Sequence, residues 1–203
     1  TLPGQTATAT PPAVVPAAAT APAAAPAAPA PAAAPAAPAP AAHDLDLVGV
    51  RASSENSDGK DYYPAEYATD GNPNTCWEEA QRGTEDDGLG EWLEASFGEQ
   101  ATVTEIRAIP GYRKNEEGWN RWWTNGRLGA VRFTYDDGSS DAFTFRDQEG
   151  WQTFKLPAPK QTNTVRMTIL SAYPPRAGTH HAHDTSVSEI VFGGWLTSAA
   201  GTP

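Results

Sequence analysis

Residues 130–145 read Ala130-Val131-Arg132-Phe133-Thr134-Tyr135, then Asp136-Asp137-Gly138-Ser139-Ser140-Asp141, then Ala142-Phe143-Thr144-Phe145. From Val131 to Tyr135, and again from Phe143 to Phe145, apolar and polar side chains exchange places at every residue. That period of two marks a half-buried strand. Between the two runs, Asp136-Asp137-Gly138-Ser139 supplies a tight-turn signal, because Gly tolerates the positive φ that such a turn demands. Working outward, the same alternation recurs in Glu91–Phe97, Val103–Ile109 and Val165–Leu170, with shorter runs at Trp151–Leu156 and Ser186–Phe192. No window of twelve residues carries a helical period. Eight or so strands at this spacing predict an all-β fold, a β-sandwich or jelly roll with long loops gathered at its ends.

Composition divides the chain in two. Of its 203 residues, 14 are Lys or Arg and 25 Asp or Glu, for a net charge of −11. Residues 1–42 hold 21 Ala and 11 Pro and not one charged side chain. Proline every few positions removes backbone donors and disfavours helix at the residue before it, so the helix propensity of alanine cannot act. The expectation is a disordered, stiff Pro/Ala-rich spacer over 1–42, reaching on the order of 100 Å if fully extended. A folded domain over 43–196 and a flexible tail over 197–203 complete the expected organisation. The chain begins with Thr and not Met, so a processed or trimmed N-terminal portion, an anchor or another domain, is expected upstream.

Several function classes are disfavoured at once. A single Cys allows no intramolecular disulfide framework and no zinc site built on several thiolates. The acidic balance argues against nucleic acid as a partner. No apolar run approaches the roughly 20 residues needed to span a bilayer, so no direct membrane insertion is expected of this chain. The sequence lacks the nucleophile-elbow, zinc-protease and phosphate-loop motifs, and its paired carboxylates (Glu78/Glu79, Asp86/Asp87, Glu116/Glu117) sit in loops with nothing to force them across a cleft. The chain is therefore not expected to be an enzyme.

Three connections exceed what hairpins require, and function concentrates in such loops. They run from Asn72 to Gly90, from Gly111 to Arg127 and from Tyr173 to Thr185. The second carries Trp119, Trp122 and Trp123 beside cationic residues, an arrangement suited to stacking on sugar C–H bonds while polar groups take hydroxyls. Trp77 reads as core, and one or two of the three loop tryptophans are expected to brace the loop. His180-His181-Ala182-His183-Asp184 lacks a distant further ligand and reads as a solvated polar loop. Cys76 reads as a small, inert, buried residue.

Tyr67-Ala68-Thr69-Asp70-Gly71-Asn72-Pro73-Asn74-Thr75-Cys76-Trp77 resembles the signature of discoidin-like, factor V/VIII type C, galactose-binding-like domains. Ser188-Glu189-Ile190-Val191-Phe192 is similar to their last strand. Trp77-Glu78-Glu79, Gly88-Leu89-Gly90-Glu91-Trp92, Gly111-Tyr112-Arg113-Lys114, Asn125-Gly126-Arg127 and Asp184-Thr185 resemble, in order, the motifs of the NADase-type glycan-binding group. The likeness spans about 47–194. It implies a galactose-binding-like β-sandwich (jelly roll) whose ligands meet loops at one end, with Glu78, Arg82, Tyr112, Lys114, Trp119, Asn125, Arg127 and Asp184 as ligand-binding candidates.

The signature also has a physical reading. Asp70, Asn72 and Thr75 turn oxygens inward around a glycine-bent loop, and hard oxygen donors suit Ca²⁺. The alternative is an Asx turn closed on its own backbone without a metal. The family carries a structural cation here; carried over, the ligands are the Tyr67 carbonyl, Asp70, Asn72, Thr75, the Ser188 carbonyl and Glu189. The expectation that follows is a non-catalytic carbohydrate-binding module that tethers a larger extracytoplasmic protein to a glycan or polysaccharide. The rival reading is a protein-interaction or sensor domain of a membrane-anchored envelope protein, with the tryptophan loop as its hot spot.

Overall fold

A computed structural model describes residues 40–57, 59–80, 87–116, 118–176 and 184–197. The spacer reading of 1–42 thus falls almost wholly outside the described residues, as do Arg82, the three clustered histidines and most of the tail.

The strands are β1 (His43–Asp44), β2 (Gly49–Ala52), β3 (Asn56–Ser57), β4 (Tyr62–Tyr63), β5 (Trp77–Glu78), β6 (Trp92–Ile109), β7 (Asn115–Glu116), β8 (Trp119–Asn120), β9 (Gly126–Tyr135), β10 (Ser140–Thr144), β11 (Gln152–Tyr173), β12 (Thr185–Val187) and β13 (Glu189–Leu196). Among the described residues, nine of them join in one sheet in the order β1-β13-β6-β11-β9-β12-β5, with β10 on β9 and β2 on β6. The fold is all-β, as the alternation predicts.

Two strands make the sheet curl into a sandwich. β6 is 18 residues long and β11 is 22. The first part of β6 pairs with Thr164–Thr168 and with β2, and its second part pairs with Gln152–Lys155 and with β13. The runs 91–97 and 103–109, separate in the sequence reading, are thus one strand. The join is exposed at Gly98, Glu99 and Gln100, where the facing strand shifts register between Thr162 and Thr164; a further shift, between Lys155 and Lys160 opposite Val103 to Glu105, crosses Pro157 and Pro159. Proline removes the ladder donors at that point, which lets the strand bend.

The predicted hairpin forms as read. Tyr135 donates to Ser139 O at 3.0 Å, the Gly138 N–H donates to Tyr135 O at 2.9 Å, and Gly138 takes φ 79°, the region a side chain disfavours. Ser140 then faces Thr134, and Thr144 faces Ala130. Inward residues of these strands, including Val131, Phe133, Val165, Met167, Ile106 and Phe192, form the core with Trp77. Trp77 is fully buried, and its indole N–H donates to Ser54 O at 2.9 Å. Burying such a ring without stranding its N–H contributes about 2–3 kcal/mol.

Candidate functional site

Four structures meet at the loop end: a cation-type loop, a buried carboxylate network, an arginine strut and an open cavity. The loop begins at a single 3₁₀ turn, Ala65–Ala68, whose Ala65 and Ala68 methyls enter the core. Beyond it Gly71 turns the chain at φ 78°. The Asn72 N–H donates to Asp70 Oδ1 at 2.8 Å and the Asn74 N–H to Asn72 Oδ1 at 3.1 Å, two successive Asx turns. The Thr75 hydroxyl lies 2.8 Å from Asp70 Oδ2 and 2.7 Å from Asn72 O.

Glu189, the first residue of β13, comes from far along the chain to the same place. It is 1% exposed, and its Oε1 is buried without a hydrogen-bond partner. Burial first, and then the neighbouring Asp70 carboxylate, push its carboxyl up to about 7, although the Gly71 N–H pulls the other way. The Ser188 side chain accepts the Arg113 N–H at 3.0 Å and donates to Pro73 O at 3.1 Å. Asp70, Asn72, Thr75, Ser188 and Glu189 are thereby brought together, with Tyr67 on the adjoining 3₁₀ turn.

These residues fit a hard cation. An orphaned, buried carboxylate oxygen beside a second carboxylate is a charge arrangement that an ion stabilises, and the remaining donors are neutral oxygens of the kind Ca²⁺ accepts. Among the described residues, no group of three His, Cys, Asp or Glu side chains could hold a metal. A site here would rest on two carboxylates supplemented by hydroxyl and carbonyl oxygens. An ion bound there would supply charge compensation and cross-linking of the loop to β13.

The candidate ligand residues divide. Glu78 is buried in β5, where it accepts Asn125 Nδ2–H at 2.6 Å, the Ser186 hydroxyl at 3.0 Å and Asn56 Nδ2–H at 3.3 Å. Asn56 also donates to Asp184 Oδ2 at 2.8 Å. Burial pushes the Glu78 carboxyl up to about 7; hydrogen bonds from Ser186 and Asn56 oppose this, and the Asp184 charge adds to it. The fully buried Cys76 thiol is 3.6 Å from Glu78 Oε1, and burial raises its pKa well above the ordinary value. That is the chemistry of an inert thiol.

Arg127 is a strut. Its Nε and Nη2 hold Asp147 at 2.8 and 3.2 Å, Nη1 reaches Asn125 O at 2.8 Å and Trp122 O at 3.3 Å, and Nη2 also reaches Pro174 O at 2.9 Å. The guanidinium is 2% exposed by residue and commits all its nitrogens inside the protein. Trp122 is buried and packs edge-on against Trp123 at 6.3 Å, so this pair braces the loop. Trp119 stands 43% exposed.

Tyr112, Lys114 and Trp119 belong to a different neighbourhood. A cavity of about 370 Å³ opens between the cation loop and the second long loop, lined by Tyr63, Tyr67, Thr75, Tyr112, Lys114 and Arg121 among others. Tyr112 meets Tyr63 edge-on at 6.2 Å, and burial raises its hydroxyl pKa, keeping it a donor. The short β7–β8 hairpin forms the outer wall. Glu116 there takes an ion pair from Lys114 and a hydrogen bond from Arg121 Nη2 at 3.2 Å. Arg121 lies 5.8 Å from the Trp119 ring, which puts that ring at the rim. Sequence reasoning overlooked Tyr62, Tyr63 and Arg121. The aromatic pair just before Pro64, beside the signature loop, was the available signal. Another cleft, of about 470 Å³, lies beside β1 and β2 and is lined in part by Glu66, Thr69 and Ile190; among the described residues no tyrosine or tryptophan lines it.

The fold has many counterparts among solved structures. One is the family 32 carbohydrate-binding module of NanJ from Clostridium perfringens, solved with galactose, at 21% identity and TM-score 0.52 over 71% of this chain and 92% of that one. Another is the family 32 module of AlyQ, solved with 4,5-unsaturated mannuronic acid, at 17% identity and TM-score 0.52 over 74% and 97%. A third is a module from C. perfringens solved with GalNAc-β-1,3-galactose, at 18% identity and TM-score 0.53 over 71% and 93%. At these identities the likeness establishes the fold. No curated protein matches the sequence. Among the described residues no helix is long and apolar enough to cross a membrane. Residues 45–193 match the family described as the NAD glycohydrolase translocation F5/8 type C domain, and the chain belongs to that family.

Proposed function

We propose that this domain is a non-catalytic carbohydrate-binding module that targets a larger extracytoplasmic protein to glycans, with Ca²⁺ as a structural ion at Asp70 and Glu189. The observation that carries the reading is the polar cavity between the two long loops, walled by Tyr63, Tyr67, Tyr112 and Arg121, with the exposed Trp119 ring 5.8 Å from that arginine. Tyrosine and tryptophan faces take sugar C–H bonds, while Lys114, Arg121 and the hydroxyls take the sugar's polar groups. Three structural counterparts were solved with saccharides, which supports this class of ligand. Glu78, Asn125 and Arg127 enter as the scaffold behind the cavity wall. Lys114, Trp119 and Tyr112 carry the contacts, and Asp184 is tied to the scaffold residue Glu78 through Asn56.

The test is a glycan array followed by calorimetric titration of the best saccharide. Wild-type protein is expected to bind, and Trp119→Ala, at an exposed position, to weaken binding at least about tenfold by loss of one stacking surface. Folded wild-type protein that binds no neutral or acidic saccharide would defeat the proposal.

A further inference from the structure

The cavity and the cation loop share a wall. Tyr67, Asn74 and Thr75 line the cavity, and Tyr67 and Thr75 are also in the set that would hold the ion. The opposite wall, Tyr112 to Arg121, is fastened to the same loop through one side chain. Ser188 accepts the Arg113 N–H and donates to Pro73 O, and its neighbour in sequence is Glu189. Any displacement of residues 70–75 or of the start of β13 is therefore passed to residues 112–114. The Thr75 hydroxyl touches both Asp70 and Asn72, so an ion drawing on Asp70 also re-aims a cavity-lining side chain.

We infer that occupancy of the Asp70–Glu189 cation site and occupancy of the cavity are coupled, with Ser188 as the positioning residue between them. The cation fixes the wall against which residues 112–121 close. A saccharide binds more tightly to the loaded domain, and by linkage it tightens cation binding by the same factor. This last part rests on the carbohydrate reading; the mechanical coupling between the two loops does not.

Amide hydrogen exchange on the whole chain, with calcium chloride against a chelator, separates the two. Calcium is expected to slow exchange in residues 70–76 and 188–190, and also in residues 112–116, by at least about fivefold. Protection confined to 70–76 and 188–190, or no protection anywhere, overturns the proposal. In Ser188→Ala, calcium is expected to protect 70–76 still and to lose its effect on 112–116; transmission that persists there removes Ser188 from the role. Calcium titration with and without galactose then reads the linkage, with an affinity gain of about fivefold expected. Intact loop-to-loop protection with no saccharide bound in any condition defeats the carbohydrate reading and leaves the coupling standing.

Discussion

On the outer face of the sheet, Glu94 lies between two arginines: Arg51 Nε donates at 2.8 Å and Arg166 Nε at 2.9 Å. Both guanidiniums also sit against the Trp92 ring, at 5.4 and 4.2 Å. Burial alone would raise the Glu94 carboxyl, but the hydrogen bonds and charges of Arg51 and Arg166 outweigh it and hold the group below the ordinary range. At the loop end the same residue type meets the opposite treatment. Among the described residues, Glu78, Glu189 and Asp70 form no ion pair, and the carboxyls of Glu78 and Glu189 are pushed up to about 7. The sheet gives Glu94 its counter-charge, whereas the loop-end cations Lys114, Arg121 and Arg127 are paired with Glu116 and Asp147 and not with Glu78 or Glu189. A buried carboxylate without a counter-charge takes up either a proton or a cation.

The largest effect expected from this contrast is in pH. The folded Glu78 carboxyl, at about 7 against an ordinary 4.5, holds its proton more tightly than the unfolded chain does. Its stabilising contribution is complete below pH 4.5 and is lost as pH rises through 7. Relative to Glu78→Gln, wild-type stability should therefore fall over that window by about 3 kcal/mol at most, read by denaturant titration at several pH values. A wild-type curve parallel to that of Glu78→Gln would erase the difference between the two neighbourhoods.

Next in size is calcium. With the ion in hundredfold excess over its dissociation constant, the folded state should gain about 2.7 kcal/mol. That corresponds to roughly 5–10 °C in thermal midpoint, with the gain abolished by Glu189→Gln. The gain should grow from pH 5 to 8, since the ion competes with the proton on Glu189, whose carboxyl is pushed up to about 7. The smallest effect belongs to the sheet face. Arg166→Ala leaves Glu94 paired with Arg51 alone, and a loss of about 1–2 kcal/mol is expected by denaturant titration, because the arginine is partly exposed and only half of the clamp is removed.

How far the sequence could be read depends on whether partners are close along the chain. Val131–Tyr135 and the turn at Gly138 were legible because alternation and turn chemistry are local. The fusion of 91–97 with 103–109 was not, since Gly98-Glu99-Gln100 breaks the alternation just where the strand bends into solvent. The family signature drew attention to Asp70, Thr75 and Glu189, and the chain does bring them together. Arg127 drew equal attention as a ligand candidate, and its side chain is committed to Asp147, Trp122, Asn125 and Pro174. An inward arginine and a ligand-facing one look alike in one dimension. Asp147 lies in a loop beyond β10, and nothing in its neighbours announces the pairing. Tyr63 and Arg121 were overlooked for the same reason: the cavity they share exists only after β3–β4 and β7–β8 are folded beside each other.

The two long bent strands have a consequence for how the domain is made. Ile106 pairs with Phe154 and Trp92 with Thr168, so both halves of the sandwich depend on contacts between distant stretches of chain. Neither layer can be completed while the other is open, because β6 and β11 run through both. Such a topology closes a large loop before any ladder rewards it, which places folding toward the milliseconds-to-seconds end of the range. A nick near Glu99 would cut one strand out of both layers together, so a protease reaching that exposed bend would dismantle the whole domain and not trim half of it.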